Sequence, residues 1–485
     1  MTDPSAPPAT PGATARNPLL VVVALCFGGL CAALSQTLVI PIQSELPLLL
    51  GTSAANASWV VTVTLLSAAV AMPVAGRLAD LYGKQRVMAV SAAVLLVGSV
   101  VCALSDTLVP MLVGRSLQGM AMGFIPVGIS LVRQVVPAEM SATAVASMSA
   151  TLGVGGAIGL PLSAWIVQVG SWHALFWVAA GAGALVLLSV LVLVPHLHEP
   201  RGGRLDVGGA VGLAVGLVAF LVGVSKANEW GWTSGRTLGA VLGGLVVLLL
   251  WGWYELRRDE PLVDLRTTAR PAVLRTNIAA VAIGFGMMAQ SIVVPQLLQM
   301  PEATGYGLGQ TILQAGLWMA PGGIMMMVFA PVSSRMIRSV GARRTLMAGA
   351  TVLGLGYVLA TFLMGAPWEL LVASCVVTAG VGIGYAAMPT LILDEAPPRE
   401  AAAAVGLNAL ARSTGTTIAA AVMAAVLTSS TTSLGSAVVP TESAFRWCFV
   451  IGAVAAFVGV ALAATVPQRR PDVLVATPEP VAVAR

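Results

Sequence analysis

Charged residues are scarce in this chain of 485 residues. Asp, Glu, Lys and Arg make up 9% of it, against roughly 25% in an ordinary soluble domain, and 57% of its residues are hydrophobic. This deficit excludes a water-soluble globular protein. Apolar runs of about 18–25 residues recur along the whole chain, the length that spans the hydrocarbon core of a bilayer as a helix. A transmembrane barrel is excluded as well, because it would show alternating segments of about 10 residues.

Cysteine and histidine are also rare, with five and three residues. The cysteines lie in or beside apolar runs, their number is odd and none belongs to a Cys-x-x-Cys pair, so a disulfide framework and a metal site are disfavoured. His196 and His198 lie in a loop and are too few to hold a metal. We therefore expect neither a metal nor a cofactor.

Catalytic motifs are missing too. No Ser/His/Asp set, zinc-protease helix or nucleotide-binding loop occurs in a suitable setting, so we expect no enzymatic activity. The glycines of 153–159 resemble a dinucleotide fingerprint only superficially, because apolar helix flanks them on both sides and close helix packing explains them better. A membrane sensor is disfavoured because every loop is too short to hold an output domain.

Breaks rich in charge, Gly or Pro divide the apolar runs into about fourteen candidate transmembrane helices. The predicted fold class is therefore an all-α membrane protein, with two six-helix repeats and two extra helices between them. Its predicted parts are a disordered tail (1–17), a first six-helix half (18–194), a linker with two inserted transmembrane helices (195–271), a second six-helix half (272–466) and a second disordered tail (467–485).

The basic residues lie almost entirely on one side of the predicted membrane. Twenty of the 25 fall in loops of that side, Lys226, Arg236 and Arg446 fall on the other, and Arg115 and Arg412 lie inside spans. Because cytoplasmic loops are enriched in Lys and Arg, both termini are predicted to be cytoplasmic, in a multi-pass protein of the bacterial inner membrane. The net charge of +5 has the same origin and implies no nucleic-acid partner.

One segment occurs twice at a constant offset of 258 residues, which predicts two duplicated membrane halves. Such a duplication is a common plan of transporters, with the substrate site at mid-membrane between the halves. The five identities in the first copy are Pro73, Val74, Arg77, Gly83 and Arg86, and in the second copy Pro331, Val332, Arg335, Gly341 and Arg344.

Three motifs occur in order in the first half. The stretch 76–86 (GRLADLYGKQR) is a charged turn between two spans, 115–119 (RSLQG) begins with a charge inside a span, and 155–161 (GGAIGLP) is rich in glycine. They resemble the loop 2–3 signature, the R-x-x-Q-G motif and the antiporter motif G-x-x-x-G-P of the major facilitator superfamily. With the two inserted helices, the chain is most similar to the fourteen-helix drug:proton antiporter branch, of the multidrug efflux type.

The resemblance implies that the charged turn is a latch that holds a cytoplasmic gate shut. Asp80 can accept hydrogen bonds from a neighbouring helix N-terminus or from nearby cations. The alternative is that the cations only enforce topology and contact anionic lipid. The predicted gate residues are Gly76, Arg77, Asp80, Gly83, Lys84 and Arg86.

Two departures from the family pattern concern proton coupling. Members often carry an Asp in helix 1 within L-D-x-T, whereas this chain has Leu34-Ser35-Gln36-Thr37. In the antiporter motif formed by Gly155, Gly159 and Pro161, Leu160 precedes the proline. The coupling residue expected from the family is therefore missing.

Polar residues in or near the spans supply other candidates. Arg115 either acts on water, substrate or a carboxylate, or extends to the membrane surface. Arg412 lines a wet cavity or makes interhelical hydrogen bonds, and Glu45 is either a coupling acid or a rim carboxylate. The predicted coupling residues are Arg115, Gln118, Glu45, Arg412 and Asn408, and the predicted cavity residues are Gln36, Gln290, Gln296 and Gln314.

We predict a proton-coupled exporter of small amphiphilic compounds, such as drugs or antibiotics, that works by alternating access. The alternative is a proton-coupled uptake symporter for a defined metabolite on the same fold. Because no acid lies deep in a span, neutral or zwitterionic substrates are favoured over lipophilic cations. The expected partners are the substrate, protons and membrane lipid, and the expected functional unit is a monomer.

Overall fold

The computed structural model describes residues 17–43, 45–196, 203–434 and 437–467. This part of the chain is almost entirely helical, with thirteen helices long and apolar enough to cross a membrane, or fourteen when one bent helix is counted as a span. The predicted fold class is thereby confirmed. The two predicted tails lie outside the described residues, except for Asn17 and Pro467.

We number the spans α1–α14. Four short helices (Leu46–Leu49, Ala54–Ala57, Ala227–Trp230 and Leu265–Thr268) lie in loops, and the strands β1 (Thr431–Leu434) and β2 (Ala437–Pro440), which the sequence did not predict, pair antiparallel between α13 and α14. The spans are α1 Pro18–Thr37, α2 Trp59–Tyr82, α3 Lys84–Ala103, α4 Leu108–Val135 (with a 3-10 turn at Ala121–Gly123), α5 Ala138–Val169, α6 His173–Leu193, α7 Val207–Ser225, α8 Gly235–Glu255, α9 Pro271–Gln299, α10 Ile312–Val340, α11 Ala342–Phe362, α12 Pro367–Glu395, α13 Ala401–Ser429 and α14 Glu442–Ala464.

The turns between α2 and α3 and between α10 and α11 share one backbone geometry. Gly83 has φ 99° and ψ 135°, and Gly341 has φ 89° and ψ 156°. Each residue ends one helix and begins the next, and a positive φ favours glycine because it has no Cβ. These two glycines are related by the 258-residue offset, so the backbone conformation repeats where the sequence does.

The helix α5 bends by 43° between Ala138–Gly156 and Pro161–Val169. Proline has no backbone N–H and its ring clashes with the preceding turn, which accounts for a bend at this point. Beyond the bend, Pro161 lies against Gly316 of α10, where a Cβ on that glycine would be 3.3 Å from the proline nitrogen.

The helices pack as two groups, α1–α6 and α9–α14, with large apolar clusters in each. The main contacts between the groups join α2 to α13 and α5 to α10. The second helix of each group therefore packs against the fifth helix of the other. Among the inserted helices, α7 packs against α8 and also contacts α2 and α13, whereas α8 is largely exposed.

Helix ends that carry many arginines meet on one face of the bundle, which we call the basic face. Arg133 at the end of α4 binds Asp394 at the end of α12, and Arg343 at the start of α11 donates to the carbonyl of Ala464 at the end of α14. The turns at Gly83 and Gly341 lie on this face. We call the other side the opposite face.

Candidate functional site

Asp80, near the end of α2, binds the first turn of α13 on the basic face. Its Oδ1 accepts a hydrogen bond of 3.2 Å from the backbone N–H of Ala402, and its Oδ2 accepts one of 2.9 Å from that of Ala403. The first N–H groups of a helix have no partner within it and carry a partial positive charge, so a carboxylate is the fitting ligand. Asp80 is 7% exposed and joins the two helix groups across their interface.

Two glycines allow α2 and α13 to approach closely at this point. A Cβ on Gly76 would lie 2.8 Å from the Cα of Ala403, and a Cβ on Gly406 would lie closer than 3.0 Å to the carbonyl oxygen of Met72. Both obstacles are backbone atoms, which cannot turn away as a flexible side chain can. Gly83 serves differently, because a Cβ there meets nothing within 4 Å and its positive φ makes the turn.

The cations of the charged turn lie around Asp80. Arg77 and Lys84 stabilise its charge through space. Lys84 is buried, Arg77 is half-buried and Arg86 is exposed. Of the two kinds of hydrogen-bond donor that the sequence allowed for Asp80, the structure shows the helix N-terminus.

The second copy of the turn makes a different contact. Arg338, which aligns with Asp80, donates from Nη1 to the hydroxyl of Thr143 in the first turns of α5 at 3.3 Å, and that hydroxyl lies 3.2 Å from the hydroxyl of Ser334. A cation gains nothing from the positive end of a helix. Only the first copy therefore places an acid at a helix start across the interface.

A salt bridge adds to the closure of the basic face. Arg133 Nη2 lies 2.6 Å from Asp394 Oδ1, with side chains 37% and 46% exposed. Exposed pairs of this kind contribute about 0–1 kcal/mol. The buried contact of Asp80 therefore matters more for closing this face.

Arg115 lies inside the first helix group and is fully buried. Its Nη1 donates to the carbonyl of Ser35 and to Gln118 Oε1, each at 2.7 Å, and its Nε donates to the carbonyl of Val60 at 3.2 Å. Gln118 in turn donates to the hydroxyl of Ser99 at 2.9 Å. The guanidinium thus joins α1, α2 and α4, and Gln118 extends the cluster to α3. The alternative in which Arg115 extends to the membrane surface is wrong, and its Nη2 has no hydrogen-bond partner among the described residues.

The segment of α1 that lacks the family acid packs against the antiporter motif. The hydroxyl of Thr37 lies 3.4 Å from the carbonyl of Gly155, and a Cβ on Gly159 would lie closer than 3.0 Å to that hydroxyl. The buried Nε2 of Gln36 has no hydrogen-bond partner among the described residues. Gly155 and Gly159 therefore allow α5 to pack closely on α1.

Arg412 is the centre of a buried polar cluster in the second helix group. Its Nε donates to the hydroxyl of Tyr385 at 2.8 Å, its Nη1 donates to Asn408 Oδ1 at 3.0 Å, and its guanidinium lies 4.5 Å from the centre of the Tyr385 ring. Asn408 donates to Asn277 Oδ1 at 2.9 Å. The cluster joins α9, α12 and α13, as the interhelical alternative expected. Arg412 lies about 17 Å along α13 from its start, at 1.5 Å per residue.

The remaining candidates lie apart from these clusters. Glu45 is exposed beside the short helix Leu46–Leu49, and Gln296 is exposed near the end of α9. Gln314 is also exposed, and its side chain accepts from the backbone N–H of Thr311 at 2.9 Å in a capping box. Gln290 is buried and lines a small cavity within the second helix group. The structure does not bring these four residues together.

Several hydrogen-bond partners of the candidate residues were not predicted from the sequence. The donors to Asp80 are backbone groups in the alanine run 401–404, which carries no side-chain signal. Asn277 is a polar residue inside an apolar run, and that signal could have singled it out. Tyr385 and Ser99 occur in settings that do not distinguish them from packing residues.

Two helix groups related by a repeat, close contacts on one face and polar clusters inside each group are the architecture of a secondary transporter. A profile of the Major Facilitator Superfamily matches residues 25–420 and 276–483, and the chain belongs to this superfamily. The family resemblance seen in the sequence is confirmed, and the chain is a multi-pass membrane protein.

The relatives include uncharacterised transporters and multidrug resistance proteins, and the latter agree with the multidrug efflux type of this superfamily. The chain is 30% identical over 404 residues to an uncharacterised MFS-type transporter of Mycobacterium tuberculosis, covering 81% of this chain and 58% of that relative. It is 28% identical over 375 residues to the multidrug resistance protein Stp of the same organism, covering 76% of this chain and 68% of Stp. The chain thus spans less than two thirds of the first relative's length.

Solved structures share the fold. The human organic anion transporter MFSD10 (TETRAN) superimposes with a TM-score of 0.65 at 16% identity, over 92% of this chain and 100% of that one. The proton:xylose symporter XylE superimposes with a TM-score of 0.63 at 12% identity, over 93% of this chain and 96% of that one. At these identities the likeness concerns the fold alone.

Proposed function

We propose that this chain is a proton-driven exporter of small amphiphilic compounds, drugs or antibiotics among them, and that it works by alternating access. The observation that carries the proposal is the contact of Asp80 with the start of α13 across the two helix groups. Alternating access needs contacts between the halves that can form and break. The multidrug resistance protein among the relatives supports export of drugs.

The basic face is, in this proposal, the cytoplasmic face. Its arginine-rich loops agree with the bias of cytoplasmic loops, and both termini then lie in the cytoplasm. The contacts of Asp80, Arg133 and Thr143 all lie on this face, which supports a state closed towards the cytoplasm in this proposal. The working unit is a monomer.

The distribution of charge inside the protein indicates the class of substrate. Every acid in the described spans lies in the first or last turn of its helix, namely Asp80, Glu139, Glu255, Glu369, Asp394, Glu395 and Glu442. Two guanidinium groups, those of Arg115 and Arg412, are buried instead. An interior without deep acids repels lipophilic cations, so the proposed substrates are neutral or zwitterionic amphiphiles. The coupling proton does not rest on a carboxylate at mid-membrane.

Everted membrane vesicles test the proposal directly. We expect a zwitterionic dye to accumulate inside them when their lumen is acidified, and the accumulation to stop when an uncoupler collapses the proton gradient. A lipophilic cationic dye of similar size should accumulate much less. Proton-driven entry of a metabolite into intact cells, with no dye accumulation in everted vesicles, would favour the uptake symporter and contradict export.

Asp80→Asn should lower the initial rate of dye transport about tenfold, because a hydrogen bond to a charged group contributes roughly 1.5–3 kcal/mol and the amide removes the charge. The amount of protein in the membrane should stay the same. Glu139→Gln is the matched control, since Glu139 is an exposed acid in the first turn of α5 on the same face. An unchanged rate in the Asp80 variant would disprove the latch.

A further inference from the structure

Two carboxyl groups meet at the basic-face end of the inserted helices α7 and α8. Asp206 is the N-cap of α7, where its Oδ1 accepts a hydrogen bond of 2.9 Å from the N–H of Gly209. Glu255 is the last residue of α8 and is 2% exposed. Neither residue belongs to the transport machinery described above.

The free oxygens of these two groups face the same point. A Cβ built on Gly209 would lie 2.9 Å from Asp206 Oδ2 and closer than 3.0 Å to Glu255 Oε1. Both oxygens are buried and have no hydrogen-bond partner among the described residues. Two adjacent carboxyl groups without donors between them do not both ionise readily, because like charges repel and burial removes the solvent that would screen them.

The surroundings determine which group keeps the negative charge. Asp206 receives a hydrogen bond of 3.1 Å from the hydroxyl of Tyr254, and its Oδ2 lies 3.7 Å from Arg258 Nε. Glu255 receives a longer hydrogen bond, in which the N–H of Val263 lies 3.4 Å from its Oε2, and the N–H groups of Leu262 and Trp251 also favour its charged form. The cation Arg258 pairs with Asp206, whereas burial and the neighbouring Asp206 favour the protonated form of Glu255.

Tyr254 and Arg258 are the titratable side chains that hydrogen bonds and ion pairs place against this pair. The charged groups that act on Glu255 are Asp206 and Arg258. The helices α2 and α13, which pack against α7, contribute apolar side chains to the surrounding cluster, among them Val74 and Leu407.

We propose that Asp206 and Glu255 form a proton-binding site, in which Glu255 holds one proton and shares it in a hydrogen bond with Asp206 Oδ2. The proton holds α8 against α7. Its loss leaves two negative charges side by side and loosens the pair. Because α7 also contacts α2 and α13, which Asp80 joins, the site gives the transporter a sensor of proton concentration on the basic face.

Infrared difference spectroscopy of the full-length protein in lipid, titrated with pH, tests this site without any substrate. We expect a C=O stretching band of a protonated carboxyl group that persists at about pH 7, well above the range in which an ordinary glutamate ionises. Glu255→Gln should remove this band. Asp206→Asn should shift its titration to lower pH, because the neighbouring negative charge is lost. Glu139→Gln, an exposed acid on the same face, should leave the band unchanged.

Two results would overturn the proposal. One is a band that survives in Glu255→Gln, and the other is a band that titrates identically in Asp206→Asn and in the unmodified protein. Glutamine mimics the protonated acid, so we expect this variant to fold. Should it not fold, the unmodified protein still decides the matter, since the absence of any protonated carboxyl band at about pH 7 refutes the site. Since the spectra need no transport, their outcome is independent of whether the chain exports drugs.

Discussion

Gly76→Ala should lower the initial rate of dye transport about 100-fold, although it adds a single methyl group. The new Cβ would lie 2.8 Å from the Cα of Ala403, which is a backbone atom of the facing helix. Overpacking of this kind costs about 1–3 kcal/mol, and here the helices α2 and α13 relieve it by separating, which also breaks the two hydrogen bonds of Asp80. The variant should hold the basic face open.

Gly181→Ala is the matched control for this substitution. Gly181 lies within α6, and a Cβ there meets nothing within 4 Å. Alanine raises helix propensity at both sites, so propensity predicts no loss in either variant. Transport at the unmodified rate in Gly76→Ala, measured at equal protein level in vesicles, would show that α2 and α13 do not need to approach this closely.

Arg115→Gln should abolish proton-driven transport and also lower the thermal stability of the protein in detergent. The change removes the hydrogen bonds that Arg115 donates to the carbonyls of Ser35 and Val60. A hydrogen bond from a charged group contributes roughly 1.5–3 kcal/mol, and α1, α2 and α4 lose the group that joins them. We expect Arg115→Lys to recover only part of the rate, because an ammonium group cannot reproduce the geometry of the guanidinium fork.

Arg236→Gln provides the comparison for Arg115. It removes an exposed arginine at the start of α8 on the opposite face, and both transport and thermal stability should stay unchanged. Transport in both Arg115 variants at the rate of the unmodified protein would reduce Arg115 to a packing residue.

The sequence predicted the fold well because its physical signals are local. The length of an apolar run, the glycines of a turn and the sidedness of arginines each require only neighbouring residues to be read. The hairpin of β1 and β2 was missed, since two runs of four residues, Thr431–Leu434 and Ala437–Pro440, are too short to stand out among long apolar segments. The bend in α5 occurs at the departure from the family motif, where Leu160 precedes Pro161.

The candidate site was predictable only in part, because its contacts join distant segments. The carboxylate of Asp80 indicated that it accepts hydrogen bonds. Its donors, however, are backbone N–H groups more than 300 positions away in the chain. For Arg412 the neighbour Asn408, one helical turn back, was visible, whereas Tyr385 and Asn277 come from other helices. Solvent exposure could not be predicted from sequence position either. Gln296 and Gln314 were predicted to line the cavity, and both are exposed.

The two halves share the backbone conformation of the repeated turn, but they differ in the contact that the turn makes. The repeated turns share a backbone conformation at Gly83 and Gly341, but the second copy carries Arg338 where the first carries the acid. Only one side of the basic face is therefore closed by a carboxylate at a helix start. In the proposed mechanism, a change in the charge of that single group shifts the balance between the closed and open states.

The distance between the halves on the basic face tests this account most directly. In a background where the five native cysteines are replaced and transport is verified, spin labels are attached at Glu139 of α5 and Ser339 of α10, both exposed and across the interface. We predict a short distance that dominates in the protein with Asp80, and a second, longer distance that becomes dominant with Asp80→Asn. Identical distance distributions in the two proteins would contradict the claim that Asp80 closes this face.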